Sequence, residues 1–207
     1  MAQITIIHGD AADHGRACDM IMTDPPYDMS GAELARIIDR YDAPHLVLVT
    51  TMRQLLEFMQ RTDWQLAFDF VLDGVMPKKA KSYRQPNYVH QTGVYLTKPG
   101  VKSAFDRRRR QRSDVYEANG YWPTIFRAPR DRAHENGYAK NAEAFTDILG
   151  SFDVSSVCDP FAGSGTTGIA AFELGIKCTM IERDAETFSD LKRTCRFMSA
   201  YGLEIIE

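Results

Sequence analysis

The chain has 207 residues, 44% hydrophobic and 26% charged, with a formal net charge of −3. That size and balance describe one globular domain with a single core and exclude a fibrous or disordered chain. No run of about 18 apolar residues is present, which excludes a spanning helix and any membrane partner of that kind, and the stretch Met1 to Ile7 carries neither a basic flank nor a cleavage site, so a cytoplasmic protein is expected.

Ile4 to Ile7 reads as a short strand ended by His8-Gly9-Asp10. Met20 to Thr23 is a second strand and runs directly into Asp24-Pro25-Pro26-Tyr27. Leu34, Ile37, Ile38 and Tyr41 recur at i, i+3, i+4 and i+7, which predicts a helix over 31–41 with one apolar stripe. His45 to Thr50 reads as a buried strand, and Met52, Leu55, Leu56 and Met59 repeat the helical spacing. Gln65 to Leu72 and Asn87 to Thr97 read as strands joined by a basic loop and paired antiparallel at one sheet edge. Residues 98–133 are the least regular part: Lys98-Pro99-Gly100, a short helix, the run Arg107 to Arg110, and a mixed aromatic and basic loop. A helix over about 141–149 leads to an apolar strand, Phe152 to Cys158.

After that strand comes Asp159-Pro160-Phe161-Ala162-Gly163-Ser164-Gly165, then a helix opening at Thr166, then a second apolar strand closed by Glu182. The last helix carries Phe188, Leu191, Cys195 and Met198 on one face, and a short tail follows. Strands alternate with helices, with no repeat and no low-complexity linker. The pattern fits an open three-layer α/β sheet, mostly parallel with an antiparallel edge strand, in a single domain over 1–207 with 78–133 as an excursion. Cys18, Cys158, Cys178 and Cys195 lack ligand spacing, so they are expected as reduced packing residues, and no metal is expected.

Gly163, Gly165 and Gly168 fit G-x-G-x-x-G between a strand and a helix. Glycines without Cβ let a backbone touch a ligand, and a helix N-terminus offers N–H groups to an anion. Glu182 ends the next strand, where a carboxylate can accept two ribose hydroxyls. A nucleoside-bearing cofactor is the expectation. A nicotinamide cofactor satisfies the same pattern; a phosphate-binding P-loop does not, because no Gly-Lys-Ser/Thr follows the turn. Few residues follow Glu182, so the remaining strands must come from the first 150 residues. The strand order is therefore permuted relative to an ordinary dinucleotide fold.

In an open α/β sheet, ligands sit beyond the carboxyl ends of the strands. A strand ending in Asp24-Pro25-Pro26-Tyr27 puts an acid and an aromatic at that edge. Two prolines rigidify the turn, so the Asp24 carboxylate and the Pro25 carbonyl point in fixed directions and can accept both hydrogens of an exocyclic amino group. Tyr27 gives a base a flat face to stack on.

The two motifs together resemble the amino-methylating DNA methyltransferases of the β-type arrangement, in which the acidic motif precedes the glycine motif. The resemblance implies a Rossmann-like methyltransferase sheet, S-adenosylmethionine as cofactor, and methyl transfer to adenine N6 or cytosine N4 of a base flipped out of DNA, expected as duplex. Asp at the first position of Asp24-Pro25-Pro26-Tyr27 resembles the adenine form. Carried over residue by residue, Asp24, Pro25, Pro26 and Tyr27 are catalytic. Phe161, Gly163, Gly165 and Thr166 fall in the turn that cradles the methionine half of the cofactor, with Asp159 anchoring the turn or the methionine amino group. Glu182 matches the ribose-binding acid. Asp10 and Ala11 resemble the stretch that meets the adenine ring. The chain departs from the family at His90-Gln91, where His-Glu is common, and at 134–141, where His134 and Lys140 align but the prolines do not. Cytosine N4, RNA, and a non-catalytic DNA binder on this scaffold are the alternatives, and monomer and homodimer are both open.

From Lys78 to Arg132 there are 14 Lys and Arg against Asp106, Asp114, Glu117 and Asp131, a net of +10, which leaves −13 on the rest of a chain whose total is −3. Such asymmetry points to one polyanion-binding face. Lys78, Lys79, Lys81, Arg84, Arg107, Arg108, Arg109, Arg110, Arg127 and Arg130 are the expected DNA contacts. Tyr116, Tyr121 and Trp122 are interleaved among them and suited to wedging into bases.

Overall fold

The structure is a computed structural model that describes residues 3–78, 83–84, 88–109, 122–127, 142–196, 198 and 203–206. Its elements are β1 (Ile4–His8), β2 (Met20–Thr23), α1 (Gly31–Ile38), β3 (His45–Thr50), α2 (Met52–Met59), β4 (Gln65–Lys78), β5 (Tyr88–Thr97), β6 (Ile125–Arg127), α3 (Ala142–Leu149), β7 (Ser156–Asp159), α4 (Thr166–Leu174), β8 (Lys177–Glu182), α5 (Ala185–Cys195) and β9 (Leu203–Ile206). The short helix expected between Gly100 and Arg107 does not form, since residues 101–106 are irregular apart from one bridge at Phe105, and a 3₁₀ turn follows at Arg107–Arg109.

The nine described strands form one sheet in the order β6-β4-β5-β3-β2-β7-β8-β1-β9. The first strand of the chain pairs with the strand after the glycine turn, His8 opposite Glu182. That pairing is the permuted order expected from the sequence. The strand that runs against the rest is β5, antiparallel to both β3 and β4; β4 and β6 lie outside it, with β6 parallel to β4. The short strands β6 and β9 were not legible as strands.

Alternation along each strand builds the two faces. In β3, Val47 and Val49 turn to one core with Ile6, Met22, Ile148, Ala170 and Leu191, beneath α3, α4 and α5. Leu46 and Leu48 turn to the other, with Leu34, Ile38, Leu55 and Phe58 of α1 and α2. Helix starts follow ordinary capping: Ser30 accepts from Glu33 N–H at 3.1 Å and Asp184 from Thr187 N–H at 2.8 Å. The stripe predicted over 31–41 is helical only to Ile38; Tyr41 stays buried through a following turn, its N–H bonded to Ile38 O. The strand predicted from Phe152 begins at Ser156, because Phe152 N–H bonds back to Leu149 O and Asp153 N–H goes to Ala104 O. All four cysteines are buried and unpaired, in keeping with packing roles. No described helix is long and apolar enough to cross a membrane.

Aromatic side chains fill the region under β4, β5 and β6. Phe68, Phe105 and Trp122 meet edge to face, and the Trp122 indole N–H donates to Ser151 Oγ at 2.8 Å. Trp122 was expected among bases; it is a core anchor instead, its polar edge satisfied inside the protein. Tyr116 and Tyr121 lie outside the described residues.

Candidate active site

Because every described strand but β5 runs the same way, their carboxyl ends share one edge, and β5 presents its amino end there. A cleft of about 880 Å³ opens along that edge. Asp10, Ala11, Asp24, Pro25, Pro26, Tyr27, Asp159, Phe161, Gly163, Thr166 and Glu182 all line it, as do His90 and Gln91. Two motifs more than a hundred residues apart thus face one space.

The glycine turn is held by its two acids. Asp159 is buried, and its carboxylate accepts from Thr23 Oγ1 at 2.6 Å, Thr167 Oγ1 at 2.6 Å and Phe161 N–H at 3.1 Å. Burial pushes its carboxyl above the ordinary range, against the three hydrogen bonds that favour the ionised form. Of the two roles open to Asp159, this geometry supports anchoring the turn. The Glu182 carboxylate accepts from Gly163 N–H at 3.0 Å and Asp184 N–H at 2.8 Å, so it stands at the cleft wall with fixed orientation. Gly163 has φ +52°, and a Cβ there would meet nothing within 4 Å. Its missing side chain is cleft volume. Gly165, φ +90°, is set back: a Cβ would lie 2.6 Å from Leu191 Cδ1. Its smallness serves the packing of α4 on α5, and it does not line the cleft as the cofactor assignment expected. No side chain caps α4, in contrast to α1, α2 and α5.

Asp10 closes its own turn, accepting from Ala12 N–H at 2.9 Å, and pairs with Arg183 at 3.5 Å across the cleft mouth. Tyr27 donates its hydroxyl to Asp24 Oδ1 at 2.9 Å. The turn that carries Tyr27 is closed by Met29 N–H on Pro26 O at 3.1 Å. Sequence reasoning missed what holds that turn: the side chain of Gln54, on α2, donates to Pro26 O at 3.0 Å and Met29 O at 2.9 Å. A glutamine beside an apolar helical stripe gave no signal of this role.

The basic residues divide between two edges. β4 continues past its neighbours, and the pair Lys78–Tyr88 carries the β4–β5 ladder beyond the cleft edge; Tyr83 and Arg84, in the turn between, are exposed. Arg127 ends β6 on the same side. Arg107, Arg108 and Arg109 are at the opposite edge. Their segment is fixed to the residues before β7, with Asp106 N–H on Ser151 O and Arg109 paired with Asp153 at 2.9 Å. Arg108 forks onto Asp106 at 2.7 Å, which holds that carboxyl down at about 2. These three arginines, expected to contact DNA, therefore stand at the edge away from the cleft, because β5 runs backwards and the chain leaving it starts there. Lys79, Lys81, Arg110, Arg130, His134, Lys140 and Asn141 lie outside the described residues. Among the described residues, no group of three His, Cys, Asp or Glu is placed to hold a metal ion.

An open, mostly parallel sheet with this permuted order, and with a glycine turn and an acidic strand end on one cleft, defines a methyltransferase of the Rossmann-like class. The sequence profile of the N6/N4 methyltransferases, described as DNA methylase, matches residues 78–193, more than half of the chain, and the chain belongs to that family. Solved structures agree on the fold. M1.HpyAVI in complex with SAM is 21% identical, over 93% of this chain and 98% of that one, with a TM-score of 0.70. TTHA0409 of Thermus thermophilus, complexed with S-adenosyl-L-methionine, is 17% identical over 98% and 99%, with a TM-score of 0.69. PvuII DNA methyltransferase, cytosine-N4-specific, is 14% identical over 99% and 95%, with a TM-score of 0.67. No curated protein matches the chain by sequence.

Proposed function

We propose that this protein methylates the exocyclic N6 of an adenine flipped out of duplex DNA, with S-adenosylmethionine as methyl donor. The observation that carries the reading is the opening of Asp24-Pro25-Pro26-Tyr27 and the glycine turn onto one cleft. The residues present suit the cofactor: Gly163 leaves volume free at the wall, Glu182 offers a carboxylate to ribose hydroxyls, and Asp10 one to the adenine amino group. S-adenosylmethionine supplies an electrophilic methyl group on a sulfonium.

The protein's part is to hold and polarise the base. An exocyclic amino nitrogen is a poor nucleophile because its lone pair is delocalised into the ring. Asp24 and the Pro25 carbonyl accept its two hydrogens and draw it toward tetrahedral geometry, which frees the lone pair for in-line attack. The Asp24 carboxylate also stabilises the positive charge that develops on nitrogen, so the contribution is positioning plus electrostatics. Asp24 need not remove the proton before transfer. Tyr27 stacks the flipped base, whose extraction from the duplex is required for access. The β4–β5 hairpin, with Arg84 exposed in its turn, supplies phosphate contacts on the cleft side. Asp24 at the head of the motif favours adenine over cytosine.

The test is transfer of labelled methyl groups from S-adenosylmethionine to unmethylated duplex DNA, followed by nucleoside analysis. N6-methyladenine is the expected product. N4-methylcytosine would overturn the base assignment, and no incorporation into DNA would overturn the activity.

A further inference from the structure

Gln54 is polar, only 2% exposed, and sits on the helix behind the catalytic turn. Its amide is fully used. Nε2 donates to Pro26 O at 3.0 Å and Met29 O at 2.9 Å. Oε1 accepts from the buried hydroxyl of Thr50 at 2.5 Å. Thr50 is the last residue of β3 and Gln54 lies in the first turn and a half of α2, whose start is capped by Thr51. The amide therefore ties the turn over Pro26 to Met29 to two rigid elements at once. One turn of helix further on, Glu57 accepts from Gly31 N–H at 3.1 Å and fixes the far end of the same loop.

The held carbonyls bracket Tyr27, whose hydroxyl in turn donates to Asp24 at 2.9 Å. Rotating the Pro26–Met29 turn would move the Tyr27 ring and its hydrogen bond to the Asp24 carboxylate together. A side chain that donates two hydrogens from one nitrogen to two carbonyls of one turn, and accepts on its oxygen from Thr50, is replaceable by no residue of similar size except with loss of a donor or of the acceptor.

We infer that Gln54 is a positioning residue for methyl transfer, setting Tyr27 and Asp24 against the target base without touching either base or cofactor. The inference rests on the proposed chemistry at Asp24. A displacement of about 1 Å at such a group lowers rates on the order of a hundredfold, and it falls on the base half of the cleft, away from Glu182 and the glycine turn. The maximal rate is then the quantity affected, and cofactor affinity is not.

Two variants test it in the full chain, with S-adenosylmethionine and duplex DNA carrying the wild-type target as probes. Gln54→Met keeps volume and removes both donors. Gln54→Glu keeps shape, and when protonated regains one donor. Both are expected to lose tenfold or more in kcat at pH 8, with S-adenosylmethionine Kd by calorimetry unchanged within twofold and melting still cooperative. Gln54→Glu is expected to recover part of its rate as pH falls toward 6, a gain that wild type and Gln54→Met do not show. Wild-type rates in both variants would overturn the inference and leave the proposed function standing. So would parallel loss of cofactor binding and cooperative melting in both, which marks a merely structural role. An inactive wild type would overturn the proposed function and this inference with it.

Discussion

Thr23 Oγ1 donates to Asp159 Oδ1 at 2.6 Å, across 136 residues of sequence. Thr23 is the last residue of β2 and is followed by Asp24; Asp159 is the last of β7 and opens the glycine turn. One buried hydrogen bond thus ties the loop that opens at Asp24 to the glycine turn. The charge assistance expected of a carboxylate acceptor accounts for its shortness.

Thr23→Val keeps shape and removes that donor, leaving Oδ1 of a buried carboxylate with the Phe161 N–H alone. A loss of about 1–3 kcal/mol in unfolding free energy is expected. Urea denaturation measures it, and Thr167→Val at the other oxygen should behave alike. Loss of under about half a kcal/mol in both would mean that Asp159 does not depend on these hydroxyls.

The two positive-φ glycines of the turn are expected to fail differently. Gly163→Ala adds a methyl group where nothing lies within 4 Å, at φ +52°. Backbone strain costs about 1–2 kcal/mol, and the methyl group takes cleft volume. S-adenosylmethionine binding by calorimetry should weaken at least tenfold with folding retained. Gly165→Ala meets Leu191 at 2.6 Å, so its loss should show first in the melting temperature. Equal cofactor affinity in Gly163→Ala and wild type would remove Gly163 from the binding surface.

The strand-turn-helix around Gly163 and the strand end at Asp24 were legible because each is a local pattern with a chemical reason. Their meeting was not local, and it was inferred from the need for more strands, from the place of ligands at the carboxyl ends of a sheet and from the resemblance that the two motifs carry together. What stayed hidden was set by partners far away. Ile125–Arg127 becomes a strand because Val71 to Asp73 offers an edge, not because three residues carry a period. β4 passes the expected end at Leu72 because its hairpin partner continues with it. Gln54 carries no signal in the sequence, and its role shows only once Thr50 and Pro26 are placed around it. Arg107 to Arg109 read as part of one basic face until the direction of β5 puts them at the far edge.

Asp19 should set part of the acid stability. Its carboxylate accepts from Ser155 N–H at 2.8 Å, Ser155 Oγ at 2.6 Å and Ser156 N–H at 3.0 Å, bracing the start of β2 against that of β7. The Ser155 hydroxyl, with the neighbouring N–H and hydroxyl donors, holds the carboxyl below its ordinary 3.8. A depressed folded pKa means that the unfolded chain takes up the proton first. The stabilisation is therefore complete above about pH 4 and is lost as pH falls through the lowered value. Asp19→Asn should lower stability at pH 7 and flatten the curve below pH 4. An acid limb identical to wild type would assign it to other carboxylates.

Salt dependence of DNA binding separates the two basic edges. Arg84 stands in the exposed turn of the hairpin that extends β4 and β5 past the cleft. Arg108 and Arg109 lie at the other end of the sheet and pair with Asp106 and Asp153 at 2.7 and 2.9 Å. Asp106, held at about 2, stays ionised at any working pH and cancels the charge of Arg108. Each phosphate contact contributes about one unit to the slope of log K against log salt. Arg84→Ala is therefore expected to reduce that slope by about one unit, while Arg107→Ala with Arg108→Ala leaves it unchanged. A flattened slope in the double variant alone would put the DNA on the face away from the cleft. A base cannot be in the cleft while its phosphates are a strand length away, so that result would also count against Asp24 as the residue that holds it.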